Sequence, residues 1–356
     1  GESGLMISDF FENVRKHADK LAVIRSCHTD SHAHGSALVA MNTGKTFIGR
    51  PSLGSWAVYG LGTENESLPG YVVILDKRGG PISGQPNWSS GFMPSSYQGT
   101  LFRPVGDPIL DLRGPGYLDR SAQRAQLDLL AKLNADHMAA RPGGSDLASR
   151  INTYELAYRM QSAAPEAVDL SKESDSVKSL YGLDNEITRP FGTQCLNARR
   201  LVERGVRFVQ LYHGGGGDGW DTHVDNFNRL KNRLLPVFDR GTSALLQDLQ
   251  DRGTLDQTLV VVLTDFGRTP QINGAAGRDH YPYVYSIAMA GGGIRGGEVY
   301  GSSDDKGAFP KSLPCTPPDV HATIFHAMGI SPRAELRDML NRPLPICDGD
   351  VLPLLS

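Results

Sequence analysis

The sequence predicts an α/β protein built on a mostly parallel central sheet. Two observations point to this class. Short and mainly apolar runs recur along the chain, at residues 21–24, 71–75, 206–212, 259–263 and 286–290. Segments whose apolar residues have helical spacing separate these runs. Strands that can be buried on both faces are typical of a parallel sheet covered by helices on both sides.

The elements of the first part of the chain follow from local pattern. Helical spacing covers residues 5–20, before the first strand. A short helix is expected at 36–41, closed by the Asn42-Thr43-Gly44 segment, because glycine commonly ends helices. A second helix is expected at residues 53–61, ahead of the second strand.

Residues 77–118 are rich in Gly, Pro and Ser and show little periodicity. A loop of this length inside a compact domain is usually functional. Its large side chains could cover a substrate: Trp88, Phe92, Tyr97, Phe102 and Arg103. Alternatively, the segment could have only a structural role, with the same side chains packed against the domain. This explains the pattern equally well.

The second part of the chain alternates helices with strands. Residues 121–164 are strongly helical, residues 165–187 are irregular with one helical turn near 177–180, and a helix at 191–204 ends at Gly205. A long amphipathic helix is expected at residues 224–252, with a kink at Pro236. These patterns predict a single domain over residues 1–356, with a loop-rich and helical insertion at about 77–187.

Composition narrows the function. The 356 residues are 39% hydrophobic and 21% charged, with a net charge of −3 and no basic stripe, so nucleic-acid binding is not expected. No apolar run approaches the roughly 18 residues of a transmembrane helix. The four cysteines form no CxxC pair, which argues against a cysteine-based zinc site, although a disulfide would be possible in an exported protein.

Three segments of the second half place a carboxylate beside a histidine or a glycine turn. They are Trp220-Asp221-Thr222-His223, Thr264-Asp265-Phe266-Gly267-Arg268 and Gly277-Arg278-Asp279-His280. Each follows or separates predicted strands, and open parallel sheets bind ligands at the carboxyl ends of their strands. Carboxylate oxygen with imidazole nitrogen is the ligand set of zinc, manganese and similar ions, so this edge could hold one or two ions.

Each of these residues also has a structural interpretation. Asp221 could cap a helix that starts near Val224. Asp265 follows an apolar run, where a carboxylate is costly unless it is paired. Arg268 could be the ion-pair partner of Asp265 or a clamp for an anion. Asp279 could orient the ring of His280.

A fourth segment, near the start of the chain, contains His28, His32 and His34 within seven residues. At least one of the three is expected to serve a site. The backbone amides at His34-Gly35-Ser36 lie where a helix begins and could bind an oxyanion. Ser36 itself fits an N-cap or a small packing residue better than a nucleophile. Asp319 is interpreted as the N-cap of a late helix.

The ordered set of motifs resembles a known family. The segments that carry the resemblance are Ser26-Cys27-His28-Thr29-Asp30, His34-Gly35-Ser36, Met41-Asn42-Thr43-Gly44, Trp88-Ser89-Ser90-Gly91-Phe92, Tyr154-Glu155-Leu156-Ala157-Tyr158-Arg159-Met160-Gln161, Trp220-Asp221-Thr222-His223, Asp265-Phe266-Gly267-Arg268-Thr269-Pro270, Gly277-Arg278-Asp279-His280 and Asp319-Val320-His321-Ala322-Thr323-Ile324. They resemble the DUF1501 family, a sulfatase-like group abundant in planctomycetes and assigned to the alkaline phosphatase superfamily. The similarity covers essentially the whole chain.

The resemblance implies an alkaline-phosphatase-like, three-layer α/β/α fold with a divalent metal at the strand ends: zinc, manganese or calcium. It implies that Asp221, His223, Asp265 and His280 hold the metal. His34 and Arg268 would act as catalytic residues on the anionic group, with His32, Ser36 and Asp279 binding substrate.

The chain departs from the superfamily pattern at several positions. Phe266 stands where a second ligand is expected, and Asp221 and His223 are two rather than four residues apart. No Cys, Ser or Thr occupies the nucleophile position near His34. The family also has an upstream strand with a Gly-Gly-Pro-Ser-x-x-Asp type motif, often after an export signal. The numbered chain begins after both, and an exported or periplasmic protein is expected.

The expected function is a metal-dependent hydrolase of sulfate or phosphate esters, acting on a small-molecule or glycan ester. The alternative is a non-catalytic, degenerate member that binds sulfated glycans or a protein partner. A phosphoryl mutase of the same superfamily is a third possibility. Oligomeric state does not follow from the sequence.

Overall fold

A computed structural model describes residues 3–103, 106–112, 114–140, 145–214, 219–337 and 340–356. The α-helices are α1 His34–Thr43, α2 Leu53–Leu61, α3 Arg120–Ala140, α4 Ser145–Val168, α5 Asp175–Leu180, α6 Arg189–Glu203, α7 Asn226–Arg229, α8 Leu235–Asp251 and α9 Pro317–Ala327. Short 3₁₀ helices are Val14–Lys20, Gln85–Trp88, Ser95–Tyr97, Leu170–Lys172 and Leu255–Gln257.

The strands of the two main sheets are β1 Leu21–Cys27, β2 Tyr71–Ile74, β3 Thr100–Phe102, β4 Phe208–Leu211, β5 Val260–Val262, β8 Tyr285–Ala290 and β9 Val299–Tyr300. Three two-stranded ribbons are formed by β6 Gly267–Arg268 with β7 His280–Tyr281, β10 Ser302–Ser303 with β11 Pro310–Ser312, and β12 Glu335–Arg337 with β13 Pro343–Pro345. The chain is therefore of the α/β class.

The two main sheets differ in strand direction. One has the order β3-β2-β4 and is parallel throughout. The other has the order β5-β8-β1-β9, in which β8 is antiparallel to both neighbours and β1 is parallel to β9. The expected parallel arrangement thus holds for the first sheet and only in part for the second.

The direction of β8 follows from its connection. A parallel neighbour of β5 would need a long crossover, usually a helix. Instead, the β6–β7 ribbon joins β5 to β8 and reverses the chain. An apolar run indicates that both faces of a strand are buried, but it does not indicate the direction of the strand. The sequence pattern therefore could not predict that β8 is antiparallel to its neighbours.

This topology gathers three chain segments at one edge. Since β1 and β5 are both antiparallel to β8, they run the same way and their carboxyl ends share an edge. The segment before β8 enters at that edge too, because Tyr285 at the start of β8 pairs with Cys27 at the end of β1. The N-terminus of α1, the segment after β5, and β7 are therefore neighbours.

The long helix expected at 224–252 is interrupted. It begins as α7, widens into a π-turn at Leu230–Leu234 and continues as α8. Pro236 lies in the first turn of α8. Proline lacks the N–H needed for an interior helical bond and its ring crowds the preceding turn, so the chain changes its hydrogen-bonding pattern just before it.

The spacing of apolar residues predicted helical structure over residues 5–20. The observed helix before β1 is shorter and covers only Val14–Lys20. The carboxylate of Asp239 on α8 accepts hydrogen bonds from the N–H groups of Asn13, at 2.9 Å, and Val14, at 2.7 Å. That carboxylate satisfies donors at the start of the helix and fixes where it begins.

Other local predictions have mixed outcomes. The helix at residues 53–61 and the helix closed by Gly44, whose φ is 79°, are confirmed, although α1 starts earlier, at His34. The N-cap of α9 is Thr316, with Asp319 completing a capping box, so the interpretation of Asp319 as N-cap is wrong by one turn.

The segment at residues 77–118 packs against the protein and contributes β3, an edge strand beside β2. Trp88 and Phe102 are buried, whereas Phe92 and Arg103 are exposed. Burial of the first two side chains agrees with the packing interpretation of this segment.

Two large apolar cores lie against the sheets. The first packs the mixed sheet against α1 and α9, with Ile24, Ile287, Met289, Met41, Val320 and Phe325 among its members. The second packs the parallel sheet against α4 and α6, with Val72, Ile74, Phe102, Met160 and Leu201. Among the described helices, none is both long and apolar enough to cross a membrane.

Candidate metal centre

His34 is the first residue of α1 and is placed by the loop that follows β1. Its Nδ1 lies 2.5 Å from Oδ2 of Asp265, in the segment that follows β5, and its Nε2 lies 3.2 Å from Asp221 Oδ2. The hydrogen bond that His34 donates to Asp265 raises the pKa of His34, although burial acts in the opposite direction. His34 thus links the two carboxylates that the sequence placed at separate strand ends.

Asp265 uses both oxygens within the protein. Oδ2 bonds to His34, and Oδ1 accepts the backbone N–H of Phe266 at 3.0 Å. Only 12% of the side chain is exposed. This largely covered carboxylate is therefore paired, as its position after an apolar strand requires. Its partner is His34, whereas Arg268 bonds elsewhere.

Asp221 lies at the centre of the cluster. Its Oδ1 is 2.9 Å from His223 Nε2 and 3.1 Å from His280 Nε2, and it also pairs with the guanidinium of Arg268. Burial acts to raise the pKa of Asp221, but Arg268 and the nearby imidazoles outweigh it and set the value at about 2. The next helix has Asp225 at its N-cap, so Asp221 does not cap it.

His223 and His280 face each other, with their Nε2 atoms 3.0 Å apart. His280 Nδ1 is 2.8 Å from the main-chain carbonyl of His32, and His223 Nδ1 is 2.7 Å from Asp279 Oδ1. Asp279 thus orients the ring of His223 and not that of its neighbour His280. Adjacent residues in an extended segment point to opposite sides, which separates the directions of Asp279 and His280.

Phe266 forms an apolar base for the cluster. It is 3% exposed and stacks on His34, with ring centroids 4.7 Å apart and planes at 27°. Its ring also lies 4.7 Å from that of His280. The side chain of Phe266 therefore fixes two imidazoles by packing.

The donor set fits a divalent ion. One ligand atom each from His34, Asp221 and His280 lie within 4.8 Å of one another. The His34 Nε2 atom is buried and makes no hydrogen bond within the described part of the chain. A buried nitrogen that faces a carboxylate without a hydrogen bond is a candidate ligand, since nitrogen and oxygen donors suit zinc-like ions.

The remaining predicted site residues lie at the margin. The His32 side chain bonds to the Tyr283 hydroxyl at 3.1 Å, and it contributes its carbonyl to His280. The Ser36 hydroxyl lies 2.5 Å from that of Ser31 and 3.3 Å from the Ala33 carbonyl. The glycine run at residues 215–217, before Trp220, lies outside the described residues.

Asn273 was not anticipated from the sequence. Its side-chain amide donates to the His223 carbonyl at 2.9 Å and to Asp279 Oδ1 at 3.1 Å, and so ties the two segments together. It precedes a glycine, a pattern that indicates a turn. No local signal separates this bridging role from an ordinary turn asparagine.

Several solved structures resemble this chain at low sequence identity. Ps i-CgsB is 10% identical, with a TM-score of 0.43 over 96% of this chain and 69% of that chain. The phosphonate monoester hydrolase SpPMH from Silicibacter pomeroyi is 12% identical, with a TM-score of 0.40 over 96% and 71%. BT4656, solved with its substrate D-glucosamine-2-N,6-O-disulfate, is 11% identical, with a TM-score of 0.34 over 97% and 77%.

No curated protein matches the chain. A family profile described as a protein of unknown function (DUF1501) matches residues 1–355. The match spans all of the segments that form the candidate site, from α1 to β7. The chain is therefore a member of the DUF1501 family.

Proposed function

We propose that this protein is a divalent-metal-dependent hydrolase of sulfate or phosphate esters, with the metal held at the cluster around Asp221. The observation that carries the proposal is the convergence of His34, Asp221 and His280, with ligand atoms within 4.8 Å of one another. We further infer a single domain with an alkaline-phosphatase-like layer arrangement and an insertion at about 77–187.

A bound divalent ion would supply Lewis-acid polarisation of the ester and a lowered pKa for a coordinated water. The protein contributes the fixed positions of the ligands. His34 and His280 are held from below by Phe266 and from the side by hydrogen bonds to Asp265 and the His32 carbonyl. Ligands held in this way need little rearrangement when an ion binds.

Arg268 supports an anionic substrate. Its side chain is 19% exposed and its guanidinium lies beside Asp221, so Arg268 borders the proposed metal cluster and is partly exposed to solvent. A guanidinium binds the oxygens of a sulfate or phosphate group in a planar, two-point geometry. We therefore assign Arg268 to the ester's anionic oxygens, with the organic part of the ester, a small molecule or a glycan, extending toward His32 and Tyr283.

The attacking group in this proposal is water. The hydroxyl of Ser36, two residues after His34, is engaged by Ser31 and the Ala33 carbonyl. Asp265, the other oxygen group near His34, is committed to His34 and to the backbone of Phe266. Direct hydrolysis by water needs neither of them as a nucleophile.

The test is turnover by the full chain after chelation and reloading with zinc, manganese or calcium. We expect release of nitrophenol from 4-nitrophenyl sulfate or phosphate with at least one ion. Asp221→Asn should lower kcat/KM by at least about 100-fold because it removes a charged ligand. Asp305→Asn is the matched control, since Asp305 is a solvent-exposed carboxylate paired only at the surface with Lys311.

Bound metal without turnover of either ester would overturn the proposal. Retained affinity for sulfated glycans under those conditions would instead support the non-catalytic alternative. Transfer of phosphate within a sugar phosphate, without its release, would identify a mutase.

A further inference from the structure

We propose that Cys27 and Cys315 form a disulfide bond when the chain folds in the presence of a disulfide oxidant. Both cysteines are thiols in this structure. The bond would be a covalent modification that joins the end of β1 to the segment between β11 and α9. The inference depends neither on the proposed hydrolase function nor on a bound metal.

The first step is the backbone that joins the two cysteines. Cys27 and Cys315 are direct partners in a parallel β-bridge. The N–H of His28 donates to the Cys315 carbonyl at 2.9 Å, and the N–H of Cys315 donates to the Ser26 carbonyl at 3.2 Å. Paired strands lie about 4.8 Å apart, which falls within the range of roughly 4.4–6.8 Å between the Cα atoms of disulfide-bonded residues. The backbone therefore already has the separation that a disulfide requires.

The second step is the direction of the two side chains. Directly opposed residues of neighbouring strands project to the same face of a sheet. Both side chains accordingly lie in the same apolar core, where Cys27 is 0% exposed and Cys315 is 2% exposed. Burial raises the pKa of the Cys27 thiol, and the interaction with the neighbouring Cys315 thiol raises it further. The two sulfur atoms are therefore neighbours.

The third step is the choice of partner among the four cysteines, all of which lie in the described part of the chain. Cys195 belongs to a different apolar core, formed by α6 and α8. Cys347 shares a core with Cys27 and Cys315, but its thiol donates to the Pro318 carbonyl at 3.1 Å. The only two cysteines that the backbone pairs with each other are Cys27 and Cys315.

The fourth step is the reaction, with glutathione disulfide as the oxidant. The thiolate of one cysteine attacks glutathione disulfide, so that a mixed disulfide forms and one glutathione thiolate leaves. The thiolate of the other cysteine then attacks the protein sulfur of the mixed disulfide, which forms the bond between Cys27 and Cys315 and releases the second glutathione. Each cysteine loses one proton, and the two electrons removed from the protein reduce glutathione disulfide to two thiols.

Burial determines when this reaction takes place. Exchange requires a thiolate that the oxidant can reach, whereas the folded core covers both sulfur atoms and disfavours the charged thiolate of Cys27. The bond must therefore form before the core closes, and the same burial then protects it from reductants. A cross-link between residues 27 and 315 closes a long loop, restricts the unfolded chain and so stabilises the folded protein.

The test is refolding of the full wild-type chain from urea, without metal, in a glutathione redox mixture or in reductant alone. After refolding in the glutathione mixture, thiol titration in denaturant should find two free thiols in place of four. Peptide mapping without reductant should recover Cys27 joined to Cys315. The cross-linked protein should melt about 5–10 °C above the reduced protein. Reduced protein that is already folded should lose its thiols at least about 10-fold more slowly in the same mixture.

Variants identify the sulfur atoms that take part. Cys27→Ala and Cys315→Ala should each abolish the cross-link, together with the difference in melting temperature between the two refolding conditions. Cys195→Ala is the matched control, because Cys195 is equally buried but lies in another core, and it should keep both. The wild-type peptide map needs no variant, so it decides the result even where an alanine variant fails to fold.

Three outcomes would contradict the proposal. Four free thiols after refolding in the glutathione mixture, or a cross-link that involves Cys195 or Cys347, would overturn the pairing. Equal melting temperatures of the cross-linked and reduced proteins would refute the stabilising role. Equal rates of thiol loss in folded and unfolded protein would refute protection by burial.

Discussion

The guanidinium of Arg268 pairs with the same oxygen of Asp221 that faces His223 Nε2 at 2.9 Å and His280 Nε2 at 3.1 Å. Arg268 therefore competes with any metal for this oxygen. In the proposed function, the same guanidinium would also bind the anionic ester. Under the same proposal, metal binding and substrate binding would therefore be coupled through one carboxylate.

Arg268→Gln separates these two effects. The substitution removes a cation that competes for Asp221, so zinc affinity should be unchanged or higher. It also removes the charge that binds the ester, so KM should rise by about 10- to 100-fold. Arg268→Lys should recover only part of the loss, because an ammonium cannot form the two-point contact. Metal titration and steady-state kinetics check the two effects, and loss of zinc binding in Arg268→Gln would contradict the account.

The sequence carried enough information to predict that these segments meet. A strand followed by a carboxylate or histidine places that side chain at a sheet edge, and the structure brings His34, Asp221, Asp265 and His280 together there. The pairing within the cluster was not predictable. The histidine that Asp279 contacts depends on the directions in which the side chains of Asp279 and His280 point and on the chain reversal at the β6–β7 ribbon. The spacing of residues in the sequence predicts neither.

A buried ion network should dominate the stability of the helical region. Arg199 on α6 is 2% exposed and bonds to Asp248 at 2.9 Å, Glu173 at 2.8 Å and Glu203 at 2.7 Å. Arg199→Met removes one cationic partner from each of these carboxylates and should lower the free energy of unfolding by about 3–5 kcal/mol. Arg207→Met, which breaks a surface pair with Glu64, should cost about 1 kcal/mol or less. Urea unfolding of both variants tests the contrast, and equal losses would refute it.

His321 should make the protein sensitive to acid. Its Nε2–H donates to the Met41 carbonyl at 2.8 Å, and burial lowers its pKa from 6.5 to about 4. Below pH 6.5 the unfolded chain binds a proton that the folded chain refuses, so the stability that this residue contributes is present above pH 6.5 and is lost as the pH falls toward 4.

The size of the His321 effect can be isolated by His321→Gln, which keeps a donor for Met41. Between pH 7 and 4 the wild type should lose about 3 kcal/mol more stability than the variant. Unfolding curves across this range provide the comparison. Parallel pH profiles for the two proteins would show that His321 titrates normally in the folded state.

The bounds of an element could be predicted where residues close to its ends in the sequence determine them. Helix α2 has the predicted bounds because an apolar segment ends at Gly62, and α1 ends at Gly44 in the left-handed conformation. Prediction failed where the start or the direction of an element depends on a residue that is far away in the sequence. Asp239 on α8 sets the start of the first 3₁₀ helix, and β8 is antiparallel because the β6–β7 ribbon, which contains part of the candidate site, reverses the chain before it. Such partners are far away in sequence and leave no periodic signal.

Gly277 joins the two loops that carry His223 and Asp279. A Cβ added at Gly277 would lie 1.8 Å from the His223 carbonyl oxygen, and the next residue, Arg278, donates its backbone N–H to Thr222 at 3.0 Å. Gly277→Ala must push the loops apart, so it should lower the free energy of unfolding by about 1–3 kcal/mol and weaken zinc binding by about 10- to 100-fold. Gly274→Ala, in the same loop, meets no described atom within 4 Å and should change neither quantity. Zinc titration and urea unfolding of both variants measure this contrast. Unaltered zinc affinity in Gly277→Ala would show that the centre does not depend on close packing of these loops.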